Sequence, residues 1–110
     1  MSFELRGNEK ILADVPANLF RVIESVGGNL KITNLRLFFQ PHILNIQSHP
    51  EEIPIDKITG VEKINSLWIV PNGMLIKLKG GEKRHFVVWG RDNLIKIINE
   101  NKTIGGMSKR

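Results

Sequence analysis

The chain has 110 residues, 41% of them apolar and 25% charged, with no cysteine. These are the proportions of one globular domain rather than of a disordered segment, and disulfides, thiolate metal sites and cysteine nucleophiles are excluded. The formal net charge of +5 overstates the folded part, because Lys102, Lys109 and Arg110 carry three of those charges and leave +2 on residues 1–101.

The first ten residues are charged throughout and lack the apolar core of a secretory signal. No stretch approaches the roughly 18 uninterrupted apolar residues of a membrane span. Breakers then recur at short intervals: Pro16, Gly27-Gly28, Asn34, Pro41, Pro50, Pro54, Gly60, Pro71-Asn72-Gly73, Gly80-Gly81 and Gly90. The segments between them are apolar and rich in β-branched residues, the rhythm of an antiparallel sheet or barrel. Strands are expected at 10–15, resuming at 19–24 after a kink at Pro16, then at 29–33 and 36–41. Residues 33–36 make a tight hairpin in which Asn34 tolerates positive φ. Phe38 and Phe39 must point to opposite faces, so one ring needs a partner outside the core. Further strands are expected at 52–55, 60–64 and, less regularly, 67–70. Alternation is cleanest at 74–79, where Met74, Ile76 and Leu78 face a core and Lys77 and Lys79 face water with Leu75. Gly80-Gly81-Glu82 turns the chain into a last strand at 83–89.

After Gly90 the period changes. Leu94, Ile97, Ile98 and Asn101 fall at i, i+3, i+4 and i+7, one stripe of a helix about ten residues long that opens near Asp92. So short a helix is marginal alone and must dock its stripe. Residues 102–110, with Gly105-Gly106 and a polar end, read as a disordered tail, so the domain is expected to span 1–101.

Seven or eight short strands closed by one helix, with particular residues in order, resemble the GRAM domains of the pleckstrin-homology-like superfamily. The stretch from Gly28 through Leu30, Ile32, Thr33, Arg36, Leu37 and Phe39 is similar to that family's Gly-x-Leu-x-Ile-Thr-x-x-Arg-Leu-x-Phe hairpin. Glu9 to Leu12 resembles its opening strand, Ile53-Pro54-Ile55 with Ile58 and Val61 its third signature, and Gly81, Phe86-Val87 and Arg91 the approach to its helix. The resemblance runs over residues 4–101. It implies a mainly β fold, a split barrel of seven or eight antiparallel strands capped by a C-terminal α-helix. It also implies a non-catalytic binding or adaptor module that takes a protein or peptide partner on the barrel rim or a sheet edge.

The residues themselves name no catalytic group. Ser25, Ser48, Ser66 and Ser108 lack a nucleophile-elbow context, and Glu51-Glu52 point to opposite faces of a strand. His42, His49 and His85 lack metal-ligand spacing, and neither glycine pair opens a phosphate cradle. No cofactor, metal or enzymatic activity is expected. The strongest electrostatic feature is the last hairpin, where Lys77, Lys79, Lys83 and Arg84 cluster and Lys31 and Arg36 approach from the other hairpin. This is a candidate site for anionic lipid headgroups or an acidic partner, or else simply a solvated strand face. Phosphoinositide-binding members of the superfamily carry a denser basic motif on their first two strands, where this chain offers Arg21 and Lys31, with Thr33 at a position another base would fill. Leu67, Trp68 and Ile69 form either a buried strand or an apolar loop able to meet a bilayer or another subunit. Trp89, Phe38, Phe39 and Phe86 are expected in the core. Basic and aromatic residues are not interleaved as nucleic-acid binding requires. The expectation is therefore a cytoplasmic adaptor for a protein or peptide. Peripheral attachment to an anionic membrane is the alternative, and homo-oligomerisation through 67–71 the third reading.

Overall fold

Period-two alternation of apolar residues builds a single antiparallel sheet, in the order β4-β3-β2-β1-β7-β6-β5, in a computed structural model that describes residues 3–21, 24–43, 49–66 and 70–108. The strands are β1 (Ile11–Arg21), β2 (Glu24–Thr33), β3 (Arg36–Pro41), β4 (Glu51–Pro54), β5 (Ile58–Ser66), β6 (Val70–Leu78) and β7 (Lys83–Val88). A short 3-10 turn, Ile55–Lys57, joins β4 to β5, and one helix, α1 (Arg91–Ser108), closes the chain. The expected mainly β architecture with a terminal helix is what the chain adopts, with seven strands among the described residues.

The sheet folds back on itself. Phe39 of β3 and Phe86 of β7 are separated in the sheet by β2 and β1, yet their ring centroids lie 5.7 Å apart. β1 is the strand shared by the two halves: residues 17–20 pair with both β2 and β7, whereas residues 11–16 pair with β2 alone. Pro16 falls where β1 has a neighbour on one side only, so its missing N–H need break no ladder and the strand runs through it. Between the halves lie Leu19, Leu30, Ile32, Leu37, Phe39, Ile53, Met74, Ile76 and Phe86, all buried. Truncating either ring of the Phe39–Phe86 pair to alanine is worth about 3–5 kcal/mol.

The helix seals one end of this core with Leu94 and Ile98, packing against the 3-10 turn, β5 and β6. Gly90, at φ +70°, turns the chain into it, and the Gly90 carbonyl accepts from Asn93 N–H and Leu94 N–H. Arg91 fixes its position, donating from Nη1 to the carbonyls of Ile64 at 2.7 Å and Gly73 at 3.1 Å. Asp92 bridges to Lys63 at 2.7 Å.

Several expectations are corrected. Helix α1 spans 18 residues rather than about ten, carrying through Gly105-Gly106. Once a helix is nucleated each further residue adds a bond, and a glycine costs only about 1 kcal/mol. Gly27-Gly28 and Asn72-Gly73 lie inside β2 and β6 rather than in turns. They serve close backbone approach, since a Cβ on Gly73 would stand 2.4 Å from the Ile64 carbonyl oxygen. Trp89 is not in the core but 76% exposed. Alternation explains it: Phe86 and Val88 face inward, which turns Val87 and Trp89 out.

Candidate functional site

The β6–β7 hairpin closes as the sequence suggests. Leu78 N–H donates to the Glu82 carbonyl at 2.8 Å and Gly81 N–H to the Leu78 carbonyl at 3.1 Å. Gly80 and Gly81 take φ values of +90° and +93°, which a side chain would strain. The register sets Lys77 opposite Lys83, a like-charge pair. Glu62 of β5 relieves it, with Lys77 Nζ 2.6 Å from its carboxylate. That hydrogen bond, with a smaller contribution from Lys83, holds the Glu62 carboxyl below the usual range.

Lys79 N–H donates to the Lys57 carbonyl at 2.9 Å, which brings the 3-10 turn alongside the hairpin. Lys57, Lys79 and Lys83 are exposed there, and among the described residues none has a carboxylate within 4.0 Å. Lys57 was hidden in the sequence by its acidic neighbourhood at 51–63. The signal that would have found it is its place just ahead of Ile58, which pairs with Leu78 next to the hairpin. Arg84, by contrast, reaches across the barrel mouth to Glu51 at 2.9 Å, with Glu82 at 3.9 Å.

Lys31 and Arg36 do not join this hairpin. They stand on the outer face of β2 and β3, under the N-terminal segment. Lys31 Nζ lies 3.7 Å from Asp14 and 5.6 Å from the Phe3 ring centroid. The Arg36 side chain is only 6% exposed, its charge turned to partners within the chain. Its Nε and Nη2 donate to the two carboxylate oxygens of Glu9 at 2.8 and 3.0 Å. Nη1 donates to Glu52 at 3.0 Å and Nη2 to the Glu4 carbonyl at 2.8 Å. The guanidinium also lies over the rings of Phe3 and Phe38, 4.6 and 5.5 Å from their centroids. Phe3 packs on Phe38 at 5.0 Å, the partner outside the core that Phe38 required.

The Arg36 hydrogen bonds pull the Glu9 carboxyl down to about 2 against its burial, with help from the Thr33 hydroxyl, which donates to it at 2.6 Å. Glu9 in turn raises the Arg36 pKa further. Arg6 completes the clamp, 2.9 Å from Glu52. Sequence reasoning missed Glu9, whose signal was a lone acid opening an apolar strand.

Leu67, Trp68 and Ile69 lie outside the described residues. His42 Nε2 is 3.2 Å from Asn29 Oδ1, and His85 packs on Phe20 at 4.7 Å. Among the described residues, no group of three His, Cys, Asp or Glu could hold a metal ion, and no helix is long and apolar enough to cross a membrane.

The two sheet edges differ. β4 has four residues and ends in Pro54, blunting that edge. β5 has nine, with register shifts at 58–60 and 64–66 and a regular stretch between them.

No family model and no curated protein matches the chain. Solved structures do. It is similar to the C-terminal domain of an unknown protein from Leishmania infantum, at 19% identity and TM-score 0.75, covering 86% of this chain and 85% of that one. It is also similar to the Vps36 N-terminal PH domain, at 12% identity and TM-score 0.72, covering 91% and 83% of the two chains. A third likeness is to the linker-DH/PH domains of p115-RhoGEF, at 8% identity and TM-score 0.65, over 87% of this chain and 30% of that longer one. These likenesses show that the chain has a pleckstrin-homology-like fold.

Proposed function

We propose that the chain is a non-catalytic, cytoplasmic binding module of the GRAM type that takes a protein or peptide partner along the outer edge of β5. The observation that carries this reading is a nine-residue terminal strand with no neighbour on its outer side among the described residues. Such an edge presents a row of backbone donors and acceptors, and an added strand can satisfy them. The regular stretch at 60–64 is long enough to hold a short extended segment in register. The GRAM assignment is supported by the 28–39 hairpin, where Gly28, Thr33 and Arg36 each have structural work. Gly28 lets β3 approach, the Thr33 hydroxyl accepts from Leu35 N–H and Arg36 N–H, and Arg36 locks the N-terminal segment.

A partner identified by proximity labelling in cells, then added to the purified chain, tests the proposal. Saturating partner is expected to slow amide hydrogen exchange at 60–64. Binding that leaves those amides unchanged overturns it.

A second reading is favoured by Lys57, Lys79 and Lys83, three lysines without carboxylate partners among the described residues, around one exposed turn. They suit weak, charge-driven contact with an anionic membrane. Co-sedimentation with phosphatidylserine-containing and with neutral vesicles separates the readings, and equal, negligible binding to both removes the second.

A further inference from the structure

Along β7, every second residue turns away from the core: Lys83, His85 and Val87, then Trp89 just past the strand's end. The register places Phe20 of β1 and Leu75 of β6 on either side of His85. It places Asn18 and Gly73 on either side of Val87. Trp89 is 76% exposed and Phe20 41%, while Leu75, His85 and Val87 are half-buried. Gly73 leaves a level floor beside Val87. Burial lowers the His85 pKa below its ordinary value and so favours the neutral ring, and its Nε2 has no hydrogen-bond partner among the described residues. From His85 to Trp89 the strip is formed by Phe20, Leu75, Asn18, Gly73 and Val87, with no Lys, Arg, Asp or Glu among them. At its other end stand Lys83 and the hairpin's Lys79, both without a carboxylate within 4.0 Å among the described residues, while the two acids nearest them, Glu62 and Glu82, lie 2.6 Å from Lys77 and 3.9 Å from Arg84.

We propose that this outer face of β1, β7 and β6 docks a protein segment bearing apolar or aromatic side chains with Asp or Glu at one end. The apolar side chains lie on Phe20, Val87 and Trp89, and the carboxylates meet Lys79 and Lys83. Charge complementarity selects this occupant: among the described residues the charges bordering the strip that have no opposite partner are Lys79 and Lys83, and the acids a second copy would present on this face, Glu62 and Glu82, already face Lys77 and Arg84. Length sets a further limit. Six residues of strand separate Lys83 from Trp89, roughly 20 Å, which matches about six residues of extended peptide or about thirteen of helix. The surface is separate from the β5 edge, and it extends the reading of the chain as a protein-binding module by giving a partner's chemistry.

The test is selection of a phage-displayed library of random peptides, about sixteen residues long, on the full chain. Enriched peptides are then measured against Trp89→Ala and Lys79→Glu/Lys83→Glu variants whose amide spectra show the fold intact. The proposal expects peptides combining an apolar cluster with Asp or Glu. It expects tenfold or greater loss of affinity in both variants, and peptide-induced shifts at the His85 and Val87 amides. It is overturned if no peptide is enriched, if the enriched peptides lack acids, or if Trp89→Ala binds them as the parent does. Two further results also overturn it: self-association that Trp89→Ala abolishes, which assigns the strip to a second copy, and binding to neutral phosphatidylcholine vesicles that Trp89→Ala abolishes, which assigns it to a membrane. Peptides that protect the amides at 60–64 and ignore Trp89→Ala leave the β5 reading standing while removing this one.

Discussion

Glu9→Gln removes one charge from the buried clamp and keeps the shape of the side chain. In the folded chain the Arg36 guanidinium draws the Glu9 pKa down to about 2 from 4.5. At about 1.4 kcal/mol for each pKa unit, the ionised carboxylate contributes roughly 3 kcal/mol at neutral pH. That agrees with the roughly 3–5 kcal/mol typical of breaking one side of a buried ion pair. The sign follows from the direction of the shift. A carboxyl depressed on folding stabilises fully above its unfolded pKa of 4.5, and the contribution is lost as pH falls towards about 2. Glutamine has no such dependence, so the gap between parent and variant must close on acidification. At about pH 3.5 it should have narrowed by roughly 1.4 kcal/mol, close to half. Urea unfolding followed by tryptophan fluorescence at pH 7, 5 and 3.5 measures this directly. A variant within about 0.5 kcal/mol of the parent at pH 7, or a gap that stays constant with pH, refutes the electrostatic account of the clamp.

Gly28→Ala should destabilise the chain by at least about 2 kcal/mol. Its Cβ would stand 2.3 Å from the Gln40 carbonyl oxygen and 2.9 Å from Pro41 Cα. Gly60→Ala, whose Cβ meets only the flexible Lys77 Cε at 3.4 Å, is the control that should cost far less in the same denaturation assay. Arg91→Ala strips the Ile64 and Gly73 carbonyls of their donor and should cost about 1–3 kcal/mol, with faster hydrogen exchange in the first turns of α1. If the membrane reading holds, replacing Lys57, Lys79 and Lys83 by glutamine should weaken partition onto anionic vesicles by about fivefold per lysine. Unchanged co-sedimentation of the triple variant would exclude that surface.

What could be read in the sequence follows from the range of the physics involved. Most strand positions, the two tight hairpins and the Leu94/Ile98 stripe depend on neighbours a few residues apart, and those were legible; the step from β1 to β2 was not, because the strand expected at 19–24 takes in both the end of β1 and the start of β2. Gly28 and Gly73 were misread as punctuation because a glycine spent on a turn and one spent on close backbone approach look alike until the opposing strand is known. Trp89 was misplaced by composition, although the alternation through Phe86 and Val88 already turned it outward. Charges were the least legible. The six basic residues suspected of binding could be counted but not paired, and pairing depends on residues 15 to 33 positions away. Lys31 meets Asp14, Arg36 meets Glu9, Lys77 meets Glu62 and Arg84 meets Glu51. Among the described residues Lys79 and Lys83 remain without carboxylates and Lys57 joins them, a cluster that no short window of sequence contains.

The two outer faces of the folded sheet receive opposite treatment, and this bears on where a partner sits. On the β1–β4 half, residues 3–10 lie across the face. Phe3 covers Phe38, Arg6 and Glu9 lock onto Glu52 and Arg36, and Asn34 ties the segment down by accepting from Lys10 N–H and donating to the Asn8 carbonyl. A guanidinium held by two carboxylates and two rings is a costly arrangement to disturb, so this face is closed to ligands at little risk of opening. Among the described residues nothing comparable crosses the β5–β7 half. That half holds the long unpaired edge, the lysines without carboxylates, and the strip ending in Trp89. Each alone has an ordinary explanation, since single exposed aromatics and lysine-rich turns are common on monomers. Their concentration on the one face left uncovered among the described residues, while buried charge is spent covering the other, is the reason the proposed docking surfaces both lie on the β5–β7 half of the sheet.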